Sequence, residues 1–271
     1  MAGGIHAVER EVAILLFDPQ CTSGLLNLFS DLKRTASLVR ERLSLDSWRI
    51  LNGLHRMAAS HAARDQLELD DALGLLNHIL EMLSAFSGMQ MENMTRSIGW
   101  RLLDIGRRLE RSTHMTRLIR ELAVNGDPAA EGGLDLLLEL GDSSMTYRSR
   151  YLSTVQLPAV IDLLLADDSN PRSIAFQIVS IARHIDALPR DQEKAILSRE
   201  QRLIETLRGN IKLVDIQELC GTRNKRGKRV LIDRLLTRLE GSLYQLSDAI
   251  ARSYFSHVLP TRSTSAGGTV P

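Results

Sequence analysis

The sequence predicts an all-α protein, a single bundle of long antiparallel helices, and three observations lead there. Aromatic residues make up only 4% of the 271 residues while Leu, Ala, Arg and Glu abound, a balance that favours helix over the β-branched and aromatic content of sheets. Prolines stand at 19, 128, 158, 171, 189, 260 and 271, and the long proline-free stretch between Pro19 and Pro128 leaves room for several uninterrupted helices. Within that stretch apolar residues recur at intervals of three and four, and strand-like alternation is missing.

Taken in chain order, the apolar run Val12 to Phe17 follows Glu9, Arg10 and Glu11 and is too short for a signal peptide or a membrane span. Helices are expected over 25–42, 46–64, 69–87 and 92–124, the third with an inner seam of Leu69, Leu73, Leu76, Leu80 and Leu83. Asn125-Gly126-Asp127-Pro128 forms a turn cluster that ends the fourth. Ser169 or Asn170 is placed to cap a helix opening at Pro171, where the missing N–H costs nothing, with Ile174, Ile178, Ile181, Ile185 and Leu188 on its inner side. The last helix carries Ile232, Leu235, Leu239, Leu243, Leu246, Ile250 and Tyr254. About seven to ten such helices would share one core in a domain over residues 1–260, followed by a flexible Ser/Thr/Gly tail over 261–271.

Composition excludes several function classes. With 44% hydrophobic residues the chain can bury a core, and 34 basic against 33 acidic residues leave a net charge of +1, so no global field draws it to nucleic acid or an acidic membrane. Cys21 and Cys220 fit no metal or redox spacing, which suits a reducing, cytoplasmic setting. The seven histidines form no ligand pattern, and no phosphate loop, Rossmann fingerprint or nucleophile elbow occurs, so neither a metal nor a cofactor is expected.

The richest chemistry lies in the helix over 92–124. Gly99, Gly106 and Thr113 stand seven apart on one stripe, which predicts close approach by another helix, and Glu110 falls on it. A carboxylate packed there needs a partner, and two readings stand: a general acid or base, or a structural ion pair. Asp104, Arg107, Arg108 and Arg111 read as a solvated or partner-facing charge row. Tyr147, Arg148 and Tyr151 share a helical face with Arg150 pointing elsewhere; Arg148 either captures a carboxylate or phosphate or meets Glu110 inside the bundle. Ser169, Asn170 and Ser173, beside Arg172, either hold an anion at a helix start or simply cap it, and Gln177 needs a partner. The basic run Arg223 to Arg229 lacks the interleaved aromatics of base stacking and reads as a solvated loop, with RNA contact as the weaker alternative.

The pieces VRERLSLDSWRIL (39–51), GRRLERS (106–112), YRSRY (147–151) and DLLLADDSNPRSIAFQ (162–177) resemble the bacterial alpha-E domain family, long of unknown function. The resemblance implies an all-helical domain found beside or fused to circularly permuted ATP-grasp ligases and transglutaminase-like peptidases, in a setting of peptide or amide-bond synthesis. Glu110 corresponds to the family glutamate, and Arg107, Arg111, Tyr147, Arg148, Arg150, Tyr151, Asn170 and Arg172 form the associated binding or structural network. Two departures stand out: the usual first Gly-Arg…Glu-Arg helix is not evident, which makes the N-terminus look incomplete relative to the family, and Thr113 stands where a second acid is common.

The resulting expectation is an accessory or substrate-binding module acting with an ATP-grasp-type ligase, its partners that ligase or a peptide substrate. The alternative is an enzyme with Glu110 as acid/base and Arg148 as anion holder. If the first family helix is absent, apolar surface left uncovered favours a homodimer or an obligate complex.

Overall fold

A computed structural model describes residues 2–62, 69–126, 132–151, 154–189, 196–221 and 229–255, and within them the chain is helical without a strand. It divides into two compact units, Met1–Trp100 and Arg101–Pro271. The expected single core is therefore replaced by two apolar clusters, one per unit.

The first unit holds α1 (Ala2–Phe17), α2 (Leu25–Leu38), α3 (Leu45–Ala62) and α4 (Leu69–Asn93). Phe29 and Ala36 of α2 pack against Leu51, Leu54 and Ala58 of α3 and Leu75 and Ile79 of α4. The seam of α4 is thus rotated from its predicted face. Leu73 is 52% and Leu80 61% exposed, whereas Ala72, Leu75 and Ile79 are buried. A Leu-rich helix offers two three-four stripes, and the one containing Ala72 and Ile79 allows the closer approach to α3. Near the end of the unit the indole of Trp100 donates to the Gln90 carbonyl (3.2 Å), and the Arg96 guanidinium lies 4.2 Å from the ring centroid, a cation–π contact. The predicted helix over 92–124 accordingly begins only at Ile98, as α5 (Ile98–Ile119).

From Arg101 onward α5 belongs to the second unit. There it is followed by a π-turn (Arg120–Val124), α6 (Gly133–Leu140), α7 (Ser144–Tyr151), α8 (Leu157–Ile161), a second π-turn (Asp162–Ala166), α9 (Ile174–Asp186), α10 (Arg199–Lys212), α11 (Ile216–Gly221) and α12 (Val230–Tyr254). The helices are shorter and more numerous than the sequence predicts. Leu163, Leu164 and Leu165 are all fully buried, so the middle of the second π-turn is enclosed in this core. Around it pack the predicted stripe of α9, from Ile174 to Leu188, and the predicted seam of α12 from Ile232 to Ile250. Helix α9 starts three residues later than expected: Ser173 Oγ accepts from the Phe176 N–H (3.0 Å) and is the cap. Asn170 has a different task, described below. Helix α10 opens with a capping box between Ser198 and Gln201. Cys220 is buried, and desolvation pushes its thiol up to about 11, so it behaves as an apolar residue.

The turn before α7 places a charge. Asp142 adopts φ 46°, a left-handed conformation that Asp tolerates better than most residues, and its carboxylate pairs with Arg172. The tail over 261–271 and the basic run at 223–228 lie outside the described residues.

The face of α4 that faces its core is testable. Ile79→Ala should cost about 2–5 kcal/mol by removing packed atoms and leaving a cavity, whereas Leu80→Ala, on the exposed stripe, should stay within about 0.5 kcal/mol, both read from urea unfolding. The reverse order would restore the predicted seam.

Candidate functional site

About three turns of α5 bring Arg101, Asp104, Arg107, Arg108 and Arg111 together at helical spacings of three and four. Asp104 is 4% exposed, so its carboxylate needs several partners, and it has them. Arg108 Nε donates to Oδ2 at 2.6 Å, and His184 Nε2, from α9, donates to the same oxygen at 2.7 Å. Arg107 Nη1 stands 3.8 Å from Oδ1. Arg101 Nη1 lies 3.4 Å from His184 Nδ1. Arginine can only donate, so Nδ1 is the acceptor and Nε2 carries the ring proton given to Asp104.

Burial alone would push the Asp104 carboxyl up. The hydrogen bonds from His184 and Arg108, with the positive charge of Arg108, outweigh it and hold the group at about 2. The predicted solvated charge row is therefore corrected: one end of it is a closed network in the interior of the second unit. Sequence reasoning missed Asp104 and His184 as a pair because 80 residues separate them and only the packing of α9 against α5 joins them. A faint signal was present in the aspartate followed by arginines three and four residues later.

Arg108 extends the network. Its Nη1 donates to Gln177 Oε1 at 3.1 Å, and its guanidinium lies 5.6 Å from the Phe176 ring centroid. Gln177 in turn donates to the Pro171 carbonyl, which fixes the loop over 167–173. Asn170, 3% exposed, holds this loop from inside: its Nδ2 donates to the Leu163 carbonyl (2.9 Å) and lies 3.4 Å from Ser143 Oγ, while Oδ1 accepts the Arg172 N–H (3.1 Å). Arg150 pairs with Asp167 and reaches Ser169 Oγ (3.2 Å) on the outside of the loop. The three motifs GRRLERS, YRSRY and DSNPRS thus converge on one loop.

Tyr147 and Tyr151 brace α7. Tyr147 is buried, with its hydroxyl donating to the Thr154 carbonyl (3.3 Å) and accepting from the Gln156 N–H (3.1 Å). Its ring lies 4.9 Å from that of Tyr151, whose hydroxyl donates to Asp162 Oδ2 (2.8 Å). Burial first, then the neighbouring Asp162 carboxylate, raises the Tyr151 phenol to about 12. Tyr151 and Asp162 line a cleft of about 320 Å³ together with Gln156, Pro158, Ala159, Ile216 and Gln217.

Two expectations do not survive. Glu110 and Arg148 are both exposed, and no hydrogen bond or ion pair joins them among the described residues. The nearest charge effect of Glu110 falls on Arg117, which is held mainly by Glu240. The glycine stripe that was to bury Glu110 is open: a Cβ at Gly106 would meet nothing within 4 Å, and one at Gly99 only the Ser97 hydroxyl at 3.9 Å. The helical face carrying Gly106 and Glu110 points to solvent, while Ile105, Leu109 and Ser112 point inward.

Arg111 has a different position from every other arginine of the cluster. It is half-buried and makes no hydrogen bond or ion pair among the described residues. Burial lowers its pKa, and the nearby positive charges of Arg172, Arg107 and Arg108 lower it further, with only Asp104 acting in the other direction. No group of three or more His, Cys, Asp or Glu able to hold a metal occurs among the described residues.

These features define an all-helical module organised around an arginine-rich polar network. The chain belongs to the Alpha-E family, described as a predicted alpha-helical domain with a conserved ER motif, whose profile matches residues 2–255. Glu-Arg occurs here at 9–10, 41–42 and 110–111. An uncharacterized protein of Mycobacterium tuberculosis is 28% identical over 242 residues, covering 87% of this chain and 27% of that protein, and one of Mycobacterium bovis matches equally. The chain therefore spans about a quarter of the length of the curated relatives it matches. No solved structure matches it significantly, and no described helix is long and apolar enough to cross a membrane.

Asp104 and Glu110 should respond oppositely to loss of charge. Asp104→Asn should cost about 3–5 kcal/mol because the part-buried Arg108 loses the charge that compensates it, while Glu110→Gln should change stability by less than about 0.5 kcal/mol. A folded-state pKa below the ordinary carboxylate value stabilises above pH 4 and is lost as pH falls. The wild type should therefore lose about 2 kcal/mol between pH 4 and pH 2 through this one group, and Asp104→Asn should remove that part of the slope in acid-unfolding curves.

Proposed function

We propose that this chain is a binding module, acting with an ATP-grasp-type ligase in the formation or modification of peptide or amide bonds, and that it engages the ligase or the ligase's peptide substrate. The observation that carries this reading is the contrast on α5: Arg108 and Asp104 are locked in place by His184, Gln177 and the loop over 167–173, whereas Glu110 stands exposed with no hydrogen bond or ion pair among the described residues. A rigid array of guanidinium groups recognises anions, and a solitary exposed carboxylate does not make a proton-transfer site. The matched relatives support the reading, since in them the corresponding region is about a quarter of a longer polypeptide. The resemblance to a family associated with ATP-grasp ligases supplies the partner. Self-association through a homodimer belongs to the same proposal.

Mixing the purified chain with the ATP-grasp-type ligase encoded nearest to it, ATP and candidate peptides should give a complex by size-exclusion chromatography with light scattering. Glu110→Gln should leave both the complex and the turnover intact. Turnover lost with the complex preserved would instead favour the enzyme reading built on Glu110 and Arg148.

A further inference from the structure

We infer that the cleft where the start of α10 meets the end of α12, walled by Glu200, Ser198 and Ser253, binds a primary ammonium group of the kind carried by a lysine side chain or a free alkylamine. This goes beyond the partnership proposed above and does not depend on it.

Two acidic residues are deeply buried among the described residues, and they are satisfied in opposite ways. Asp104, 4% exposed, is paired with Arg108 and His184. Glu200, 6% exposed in the first turn of α10, forms no ion pair among the described residues. Its partners are neutral. Ser253 Oγ, from α12, donates to Glu200 Oε1, and burial, which would raise the carboxyl, is outweighed by the Ser253 and Ser198 hydroxyls, the residue's own backbone and the adjacent Arg199, itself exposed. The amino-terminal end of α10 also favours the negative charge there. Glu200 is thus ionised and buried with no cation against it, a state that a cationic ligand improves.

The space for that ligand is present. A cleft of about 220 Å³ opens on Glu200, and Ser198, Gln201, Ser253, Tyr254 and Pro189 line it as well. Its polar protons are already committed. The Ser253 hydroxyl gives its proton to Glu200, and the Tyr254 hydroxyl donates to the Pro189 carbonyl (3.2 Å). The Gln201 amide donates from Nε2 to Asp186 Oδ1 (3.0 Å), while its Oε1 accepts the Ser198 N–H (3.1 Å) in the capping box. What the carboxylate and the Ser253 oxygen turn to the cleft is acceptor capacity, which suits a ligand that only donates. An ammonium has three donors, no acceptor and one compact charge. A guanidinium fork needs both carboxylate oxygens side by side, and Oε1 is already taken by Ser253. Anions are repelled by Glu200, and a neutral hydroxyl brings no charge to balance it. Ile185, also in the lining, offers an apolar surface to the alkyl stem.

Isothermal titration of the full chain with n-butylamine at neutral pH, in a constant background of sodium chloride, tests the site. Saturable one-site binding is expected, and tetramethylammonium, which has the charge without the N–H donors, should bind about tenfold more weakly or worse. Glu200→Gln should weaken butylamine binding by about tenfold or more. Glu205→Gln removes the same charge from an exposed position on the same helix and should leave binding unchanged. Should Glu200→Gln fail to give the wild-type circular dichroism spectrum, Ser253→Ala, at an exposed position of α12, decides: a loss of about threefold supports the site and an unchanged affinity overturns it. Nα-acetyl-lysine amide is titrated beside butylamine. Binding at least as tight assigns the ammonium to a lysine side chain, and binding of butylamine alone assigns it to a free amine, both in support of the site. Absence of saturable binding by either, tetramethylammonium binding as tightly as butylamine, or equal losses in Glu205→Gln and Glu200→Gln would overturn the inference. None of these outcomes bears on whether the ligase complex forms, so the two proposals fail separately.

Discussion

The second unit of this protein is organised by a carboxylate that cannot reach bulk water. Asp104 lies on a helix whose neighbouring residues are arginines, and its burial demands compensation from more than one direction. His184 supplies one hydrogen bond across to α9 and Arg108 another from within α5, and each of those residues then carries the constraint outward. Through His184 it reaches Arg101. Through Arg108 it reaches Gln177 and the carbonyl of Pro171, and so the loop that presents Arg172. A buried charge of this kind is a poor way to gain stability compared with an apolar pair of the same size, but it fixes the relative placement of the elements that satisfy it. The positions of the surrounding arginines follow from that placement.

Much of the fold was legible in the sequence, and the misreadings have specific physical origins. The stripes of α9 and α12 were read correctly because each contains one continuous apolar face and a polar remainder. The seam of α4 was not, because Leu73 and Leu80 form an apolar stripe as good as that of Leu75 and Ile79, and only the surface of α3 chooses between them. The same difficulty explains Glu110. Two glycines at heptad spacing read as a site of close helix approach, yet Gly106 is exposed, and the residue that is buried on this stretch of helix is Asp104, six positions earlier than the acid the motif emphasised. The residues of YRSRY, DSNPRS and GRRLERS meet through Arg150 with Asp167 and Arg108 with Gln177, and not through the expected pairing of Glu110 with Arg148. The capping role assigned to Asn170 falls to Ser173, because Asn170 is drawn inward to the carbonyl of Leu163.

Helix α5 also sorts its cations along its length. Near its C-terminus, Arg117 and Arg120 share Glu240 of α12, with Arg120 3.7 Å from Asp233 as well, and the π-turn that follows carries Ala123, whose carbonyl accepts from Arg229. Those arginines tie helices together. Arg111 and Arg107 lie about two and three turns before Arg117 on the same helix.

The division of the apolar interior into two clusters has a consequence for cooperativity. Phe29, Leu54 and Ile79 belong to one interior, and Leu164, Ile178 and Leu239 to the other, so each unit has its own source of folding free energy. A single melting temperature describes such a chain only where both interiors unfold together, so the two-state relation between midpoint and free energy has to be tested with a probe in each unit. A ligand held by residues beyond Arg101 would act by mass action on the unit that holds it, so its effect on stability is to be read from a probe placed in that unit.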